Sequence, residues 1–282
     1  MTARAVIDVG TNSIKLLVAD YAGGGMEVLL DRSTIARLGE GSDSSGVLSP
    51  DAMDRALSVI SEMAGEARSL GAAEIRAIGT QAVRASANSC DFIRAVRDAC
   101  GVTITAISGE EEARLSYMAA VGALGEGDSR KELLVFDVGG GSSEIVTGAG
   151  PDIRSSRSLP VGALSLHRRF FGAYDGPVPV GAVSDATCYV SSLLEGSPEV
   201  SSMASATRKD GCCAGIGGTI TTLAAVELAL DSHDPARITG SSLGRAGIER
   251  QIALYSSMKV SDRTSIKGLD PKRADIILAG AG

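Results

Sequence analysis

Two stretches of the chain, residues 5–18 and 133–148, share one pattern of apolar and polar positions. Each has an aliphatic run, an acidic residue, a polar segment containing glycine, and a second apolar run. Short apolar runs that flank such a segment predict a β-hairpin. The first stretch reads AVIDVGTNSIKLLV and the second reads LLVFDVGGGSSEIVTG. The sequence therefore predicts two hairpins, each with a small polar tip.

The two predicted hairpins match position by position. Val6, Asp8, Val9, Gly10 and Ser13 recur at a constant offset as Val135, Asp137, Val138, Gly139 and Ser142. The offset is close to half of the 282 residues. A repeat at half-length predicts a duplicated unit with one acidic hairpin in each copy.

The hairpin tips have the composition of an anion site. Glycine tolerates φ > 0, so the three glycines at 139–141 let successive N–H groups converge on one anion, and two serine hydroxyls follow them. Asp137, at the end of the strand, would hold a cation against that anion. A tight turn in which glycine only reverses the chain explains one hairpin equally well. Two hairpins in register favour a phosphate site.

The rest of the chain alternates between strand-like and helix-like periodicity. Strands are predicted at 26–32, 74–78, 102–107 and 212–216, and helices at 49–70, 108–124, 183–194 and 220–230. Ser49 followed by Pro50 marks one helix start, and Ser108 with Glu111 forms a capping box at another. This alternation is typical of a mainly parallel or mixed sheet that is covered on both faces.

The helix predicted at 108–124 has three glutamates in its first turn. Glu110 and Glu111 are explained by the positive end of the helix dipole. Glu112 has helical spacing with Leu115 and Ala119, so we expect it on the inward, apolar face together with Met118. An inward carboxylate needs a partner or a chemical role.

Composition and charge restrict the classes of function. With 44% hydrophobic and 22% charged residues, the chain has enough apolar material for two packed cores. No apolar run approaches the roughly 20 residues of a membrane helix, and we expect a cytoplasmic protein. The net charge of −7 argues against a nucleic-acid partner. Two histidines in the whole chain exclude a histidine-rich metal site.

Six segments resemble motifs of the exopolyphosphatase and guanosine pentaphosphate phosphatase (Ppx/GppA) family, in the family's order and over nearly the whole chain. They are DVGTNSIKLLVAD, RLGEG, GTQAVR, SGEEEARL, DVGGGSSE and SLPVGALSLHRRF. With GIGGT at 215–219, the hairpins also resemble the wider actin, sugar-kinase and Hsp70 superfamily.

The resemblance implies an α/β fold of two actin-like (ribonuclease H-like) lobes, residues 1–124 and 125–282, with the active site in the cleft between them. Members of the family continue past the segment that matches PKRADIILAGA with one more strand and helix. We therefore expect the family's final strand and helix to be missing from this chain.

The resemblance and the residue types together assign roles at the site. The family's catalytic glutamate falls on Glu112, which would act as base for the attacking water, and its phosphate-contacting arginine falls on Arg84. The carboxylates expected to hold Mg²⁺, or another divalent cation, and to position water are Asp8, Asp137 and Glu144. Further phosphate contacts are expected from Asn12, Ser13, Gly139, Gly140, Gly141, Ser142 and Gly217.

The substrate is the feature that the sequence constrains least. Both inorganic polyphosphate and guanosine pentaphosphate need the same terminal chemistry. Aromatic residues are 3% of the chain and tryptophan is absent, so there is little material for stacking a guanine. Two arginine pairs follow the second hairpin, Arg154 with Arg157 and Arg168 with Arg169. We therefore favour polyphosphate processed from its end, with guanosine pentaphosphate as the alternative.

Two other classes remain open from the sequence. A kinase of the actin-like superfamily would need an acceptor site, and a nucleotide-binding assembly protein would need segments for polymerisation. Neither an acceptor motif nor an assembly insertion is evident in the sequence. A homodimer is compatible with the sequence, whereas membrane and nucleic-acid partners are not expected.

Overall fold

The computed structural model describes residues 3–21, 25–124, 132–195, 211–232 and 234–282. The chain forms two compact units, Met1–Gly109 and Glu110–Gly282. Each unit has its own β-sheet and its own hydrophobic core. This confirms the predicted α/β class with two sheets.

The first unit is a sheet covered by helices. Its elements are β1 (Arg4–Val9), β2 (Ser13–Asp20), β3 (Glu27–Ile35), α1 (Ser42–Ser45), α2 (Pro50–Ser69), β4 (Glu74–Gly79), α3 (Gln81–Ala85), α4 (Ser89–Cys100) and β5 (Ile104–Ala106). The described strands have the order β3-β2-β1-β4-β5, in which β1 to β3 are antiparallel and β4 is parallel to β1 and β5. Ile7 and Leu16 are buried in one core with Ile60 of α2 and Phe92 of α4.

The predicted elements of the first unit are confirmed with small shifts at their ends. Ser49 caps α2 by accepting a hydrogen bond from the N–H of Ala52 at 3.3 Å. The strand predicted at 102–107 is shorter, because only Ile104–Ala106 pairs with β4.

The second unit repeats the first arrangement and adds helices. Its elements are α5 (Gly109–Ala123), β6 (Glu132–Val138), β7 (Ser143–Ala149), β8 (Asp152–Leu159), α6 (Ala163–Leu166), a π-helical turn (His167–Phe171), α7 (Val180–Glu195), β9 (Cys212–Ile216), α8 (Gly217–Glu227), α9 (Pro235–Ile238), α10 (Arg245–Ser257), α11 (Val260–Arg263), a 3₁₀ turn (Pro271–Arg273) and α12 (Ile277–Ala281). The described strand order is β8-β7-β6-β9, with β9 parallel to β6. Strand β8 and the helices after α8 were not predicted.

The predicted duplication extends to the register of the strands. Asp8 pairs with Lys15 across the first hairpin, and Asp137 pairs with Glu144 at the matching place in the second. Each third strand also shifts register at the same point, after Val18 in one copy and after Thr147 in the other. The two hairpins therefore share their turn geometry as well as their sequence pattern.

Helix α5 packs on the second sheet, with a different face from the predicted one. Its buried residues are Ala113, Tyr117 and Ala120, which lie in one cluster with residues of β6 and β7. Leu115 and Met118 are 38% and 39% exposed, so the predicted inward face was wrong.

The physical reason for this orientation lies in β7. A Cβ added at Gly148 would lie 2.6 Å from the Tyr117 hydroxyl oxygen, so the tyrosine ring occupies the space above a glycine. Because α5 packs there, it belongs to the unit that begins at Glu110, before the predicted lobe boundary at 124/125. Residues 125–131 of that boundary segment lie outside the described part of the chain. The division into lobes 1–124 and 125–282 stays a prediction.

No helix in the described part of the chain has both the length and the apolar character needed to cross a membrane.

Two buried tyrosines give a matched test of the packing in the second unit. The Tyr117 hydroxyl is buried and has no hydrogen-bond partner among the described residues, whereas the Tyr255 hydroxyl donates to Gln251 Oε1 at 2.7 Å. We expect Tyr117→Phe to leave the free energy of unfolding unchanged or to raise it by up to about 1 kcal/mol, because an unpaired polar group is removed. Tyr255→Phe should lower it by about 1–2 kcal/mol.

Urea unfolding of the two variants beside the wild type measures both effects. Equal destabilisation by the two substitutions would show that the Tyr117 hydroxyl is satisfied in solution and would contradict the expectation.

Candidate active site

A pair of carboxylates lies across the second hairpin. Asp137, near the end of β6, faces Glu144 at the start of β7 as a directly opposed pair, so both side chains lie on the same face of the sheet. Glu144 is 2% exposed and accepts a hydrogen bond from Ser158 Oγ of β8 at 2.7 Å. Burial raises the pKa of the Glu144 carboxyl to about 8, and the charges of Glu112 and Asp137 raise it as well. The pair is therefore an acidic centre in which Glu144 is removed from solvent.

Asp137 is fixed from two sides. Ser116 Oγ of α5 donates to its Oδ2 atom at 3.2 Å. On the other side, a Cβ added at Gly217 would lie 2.0 Å from its Oδ1 atom, and Gly217 has a φ of +83°. Only glycine combines that backbone angle with such a close approach. Gly217, the first residue of α8, therefore lies directly against the Asp137 carboxylate.

Glu112 reaches the same centre from α5. It lies one helical turn before Ser116 and is half-buried, beside the buried face of the helix. Its charge contributes to the raised pKa of Glu144. The structure thus brings Glu112, Asp137 and Glu144 together in one unit, although the inward face predicted for the helix was wrong.

The tip of the second hairpin is held from behind by α6. The N–H of Ala163 donates to the Gly139 carbonyl at 2.9 Å, and the N–H groups of Leu164 and Ser165 donate to the Gly140 carbonyl at 2.9 and 3.3 Å. This approach requires glycine at 162, where a Cβ would lie 2.6 Å from the Gly139 oxygen and from the Gly140 carbonyl carbon. The tip and the helix start are therefore in backbone contact.

These bonds determine where the tip's own donors point. The C=O and N–H of a trans peptide point in opposite directions. Since the carbonyls of Gly139 and Gly140 point towards α6, the N–H groups of Gly140 and Gly141 point away from it. Neither N–H takes part in a hydrogen bond within the described residues. Adjacent N–H groups with this orientation form an anion-binding concavity.

The tip of the first hairpin is also held by backbone hydrogen bonds to its carbonyls, which come from a different loop. The Thr11 carbonyl accepts the N–H of Gly39 at 2.9 Å, and the Asn12 carbonyl accepts the N–H groups of Ala36 and Arg37 at 3.0 and 2.8 Å. Arg37 adopts a φ of +51°, which is unusual outside glycine. The RLGEG segment is thus the support of the first tip.

Two polar side chains at the first hairpin have buried atoms without a hydrogen-bond partner among the described residues. Asn12 is 4% exposed, and neither atom of its side-chain amide has a hydrogen-bond partner among the described residues. Asp8 Oδ1 is also buried without such a partner, while Asp8 Oδ2 lies 3.7 Å from Lys15 Nζ. Buried polar atoms are normally hydrogen-bonded, so these atoms are candidate ligand contacts.

Arg84 of α3 lies in the first unit. Its guanidinium donates to the Ile107 carbonyl and to Gln81 Oε1, both at 2.8 Å. The side chain therefore bridges the start of α3 and the segment after β5. Of the predicted site residues, the first unit contains Asp8, Asn12, Ser13 and Arg84, and the second contains Glu112, Gly139, Gly140, Gly141, Ser142, Asp137, Glu144 and Gly217.

The GIGGT segment lies against the guanidinium of Arg273. Helix α8 begins at Gly217, three residues before the predicted start, so the glycine pair forms its first turn. A Cβ added at Gly218 would lie 2.3 Å from Arg273 Nη2, so the guanidinium lies against this glycine. No ion pair or side-chain hydrogen bond engages the guanidinium within the described residues, and burial lowers the pKa of Arg273.

Sequence reasoning missed three of these contributors. Nothing local in the sequence links Arg273 to Gly218. Ser116 lies one helical turn after Glu112, and that spacing was the available signal for it. Ser158 belongs to β8, a polar strand with no predictive pattern.

Two of the four arginines expected to guide a polyanion have side-chain partners among the described residues. Arg154 pairs with Glu132 at 2.5 Å. The Arg169 guanidinium lies over the Tyr189 ring, 4.1 Å from its centroid. Arg157 lies on β8 opposite Ile145. The role of the four arginines in binding a polyanion stays a prediction.

A sheet with an acidic glycine hairpin, present in two copies, defines the class of this protein as a duplicated α/β fold. The model of the Ppx/GppA phosphatase family matches residues 17–282. The chain therefore belongs to the Ppx/GppA phosphatase family, and it is a hydrolase of phosphoanhydrides.

Individual relatives agree with this assignment. The chain is 34% identical to exopolyphosphatase 1 of Mycobacterium tuberculosis over 284 residues, covering 98% of this chain and 78% of that protein. It is 31% identical to exopolyphosphatase 2 of the same organism over 290 residues, covering 100% of this chain and 88% of that protein. The crystal structure of the Aquifex aeolicus Ppx/GppA family member matches with a TM-score of 0.78 at 28% identity, covering 99% of this chain and 87% of that one.

The raised pKa of Glu144 predicts how stability depends on pH. The folded-state pKa of about 8 lies above the ordinary value of 4.5, so the folded protein binds this proton more tightly than the unfolded chain does. The resulting stabilisation is complete below about pH 4.5 and is lost as the pH rises through about 8. In EDTA, the wild type should lose unfolding free energy relative to Glu144→Gln, by up to about 1.4 kcal/mol per pH unit between about pH 5 and about pH 8.

Urea unfolding of both proteins at a series of pH values provides the measurement. Parallel stability profiles would show that Glu144 is ionised in the folded protein.

Proposed function

We propose that this enzyme hydrolyses the terminal phosphoanhydride of inorganic polyphosphate and releases one phosphate per cycle. The similarity to exopolyphosphatase 1 over 98% of the chain carries the choice of substrate. The acidic centre beside the second glycine tip supports the reaction. We further propose that the enzyme is cytoplasmic, is compatible with a homodimer, and has no nucleic-acid or membrane partner.

The glycine tip of the second hairpin binds the terminal phosphoryl group. The N–H groups of Gly140 and Gly141 point away from α6 and bind its oxygens, with Ser142 and Gly217 nearby in the same unit. In the first unit, Asn12, Ser13 and Arg84 are further proposed phosphate contacts. Transfer of a phosphoryl group depends mostly on such positioning and charge neutralisation.

Glu112 acts as the general base. It takes a proton from a water molecule as the water oxygen bonds to the terminal phosphorus. The bond between that phosphorus and the bridging oxygen breaks, and its electron pair stays on the shortened chain. The Glu112 charge raises the pKa of Glu144, so Glu112 lies close enough to the acidic centre to act there.

The acidic pair also fits a divalent cation. Within the described residues, no group of three or more His, Cys, Asp or Glu side chains forms a ready-made metal cage. Mg²⁺ does not need one, since it usually binds one or two carboxylates and completes its shell with water and substrate phosphates. Asp137 and Glu144 would hold it, with Asp8 as a further carboxylate of the first unit. Bound there, the cation would neutralise phosphate charge and keep Glu144 ionised.

Arg273 is an additional contact that follows from the geometry. Its guanidinium lies against Gly218 in the first turn of α8, and Gly217 in the same turn contacts Asp137. We propose that it binds a phosphate oxygen next to the scissile bond. A planar guanidinium suits this role, because its fork of N–H donors matches the geometry of a phosphate.

The role of Glu112 predicts a specific kinetic change. Glu112→Gln keeps the shape of the side chain and removes the base, so turnover should fall by about two to four orders of magnitude while substrate binding persists. Phosphate release and tripolyphosphate binding by calorimetry are measured on the same protein. Glu110→Gln, on the same turn of α5, is the matched control and should keep normal turnover. Unchanged turnover in Glu112→Gln would assign the base to another residue.

The substrate is tested by a direct comparison. Phosphate release is measured with Mg²⁺ on long polyphosphate, tripolyphosphate and guanosine pentaphosphate at equal concentrations of cleavable ends. We expect long polyphosphate to give the highest kcat/KM, and its affinity to fall as salt rises, because its binding is electrostatic. Preference for guanosine pentaphosphate would overturn the substrate and keep the hydrolytic site. Phosphate transfer to an added acceptor without release would overturn the reaction.

A further inference from the structure

Arg263 is a fully buried arginine far from the acidic centre in sequence. Its side chain is the largest of those that are fully buried in the described chain, and the residue is 2% exposed. Its Nε donates to the Tyr255 carbonyl at 2.8 Å, and its Nη1 and Nη2 donate to the carbonyls of Ala274 and Met258 at 3.1 and 3.3 Å. All three acceptors are backbone atoms of other elements.

Two of these bonds explain how the charge is tolerated. Tyr255 lies in the last turns of α10 and Met258 directly follows the helix, so the guanidinium lies at the negative end of the helix dipole and satisfies carbonyls that helix ends leave unpaired. Burial lowers the pKa of Arg263, and the charge of Asp275 opposes that effect. An apolar residue would avoid the cost of burying a charge. The third bond, to Ala274, is not needed by the helix end.

The third bond connects Arg263 to the turn that contains Arg273. Ala274 directly follows Arg273, the residue whose guanidinium lies against Gly218. From the other direction, Gln251 of α10 donates to the Leu223 carbonyl of α8 at 3.0 Å and accepts from the Tyr255 hydroxyl at 2.7 Å. The connection therefore runs from α8 to α10, through Arg263 to the 3₁₀ turn, and back to the first turn of α8.

We propose that Arg263 is a positioning residue that holds the Pro271–Ala274 turn so that the Arg273 guanidinium stays against Gly218. The proposal rests on the proposed function, in which Arg273 binds a phosphate oxygen of the substrate. Arg263 itself touches no substrate. Its effect on the reaction passes entirely through Arg273.

A purely structural role for Arg263 makes a different prediction. If Arg263 only caps α10, its substitution lowers stability and changes substrate affinity by the same factor whether or not Arg273 is present. If it positions Arg273, its effect on affinity disappears once the Arg273 guanidinium has been removed. A double-mutant cycle separates the two.

The cycle uses Arg263→Lys, Arg273→Met and the double variant. Arg245→Lys is the control, because Arg245 is an exposed arginine of α10 that pairs with Glu249. Arg263→Met is made in parallel, since an apolar residue is often tolerated at a buried charge. Tripolyphosphate affinity is measured by calorimetry in EDTA, polyphosphate KM and kcat in Mg²⁺, and stability by urea unfolding.

We expect Arg263→Lys to weaken tripolyphosphate binding and to raise KM by about tenfold, with a smaller change in kcat. In the Arg273→Met background the same change should alter both by less than about twofold, while the loss of stability persists. Arg245→Lys should change neither quantity. A binding effect of equal size in both backgrounds, or no effect in either, overturns the positioning role. Recovery of only unfolded protein from both Arg263 variants also overturns it, since the arginine is then required for folding.

The outcomes also separate this inference from the proposed function. Wild-type protein that binds tripolyphosphate with the expected coupling but releases no phosphate retains the inference and rejects the hydrolytic proposal. Normal hydrolysis without coupling rejects the inference alone.

Discussion

The site depends on the backbone contact between α6 and the second hairpin. Two carbonyls of the glycine tip accept N–H groups from the first turn of this short helix, and that bonding determines the orientation of the peptides at 139–141. Without it, a run of three glycines would sample many conformations, and its N–H groups would not share one direction. The absence of a side chain at Gly162 permits the contact, because a Cβ would overlap the tip. The proposed anion site is therefore held in place by Gly162 and α6, which contact the carbonyl side of the tip.

The two copies of the duplicated unit support their hairpin tips with different segments. They also carry opposite charges across from the hairpin aspartate. In the first copy, the loop that contains Gly39 performs the task of α6. The residue opposite the hairpin aspartate is Lys15 in the first copy and Glu144 in the second. The first aspartate therefore has a nearby cation at 3.7 Å, whereas the second has another carboxylate. In the second unit, the charges of Asp137 and Glu112 therefore add to the effect of burial in raising the pKa of Glu144.

The sequence was sufficient for features that depend on local order. The hairpins, their offset and the main helices follow from periodicity, from glycine and from capping residues, and each of these acts over a few positions. The roles given to Glu112, Arg84 and the carboxylates needed the family resemblance as well, because composition alone does not separate a buried acid from a catalytic one.

Features that depend on contacts between distant segments could not be predicted. Leu115 and Met118 are the larger apolar residues of α5, yet a glycine in β7 decides which face packs, by leaving room for the Tyr117 ring. Strand β8 is polar and forms because β7 offers it an edge, and it then supplies Ser158 to Glu144. Arg273 reaches Gly218 through a turn whose position depends on several helices. The consecutive glycines at 217 and 218 have one more consequence: the first is covered by a carboxylate and the second by a guanidinium. Neighbouring Cα atoms are about 3.8 Å apart, so a single peptide unit lies against both a negative and a positive group that come from opposite ends of the second unit.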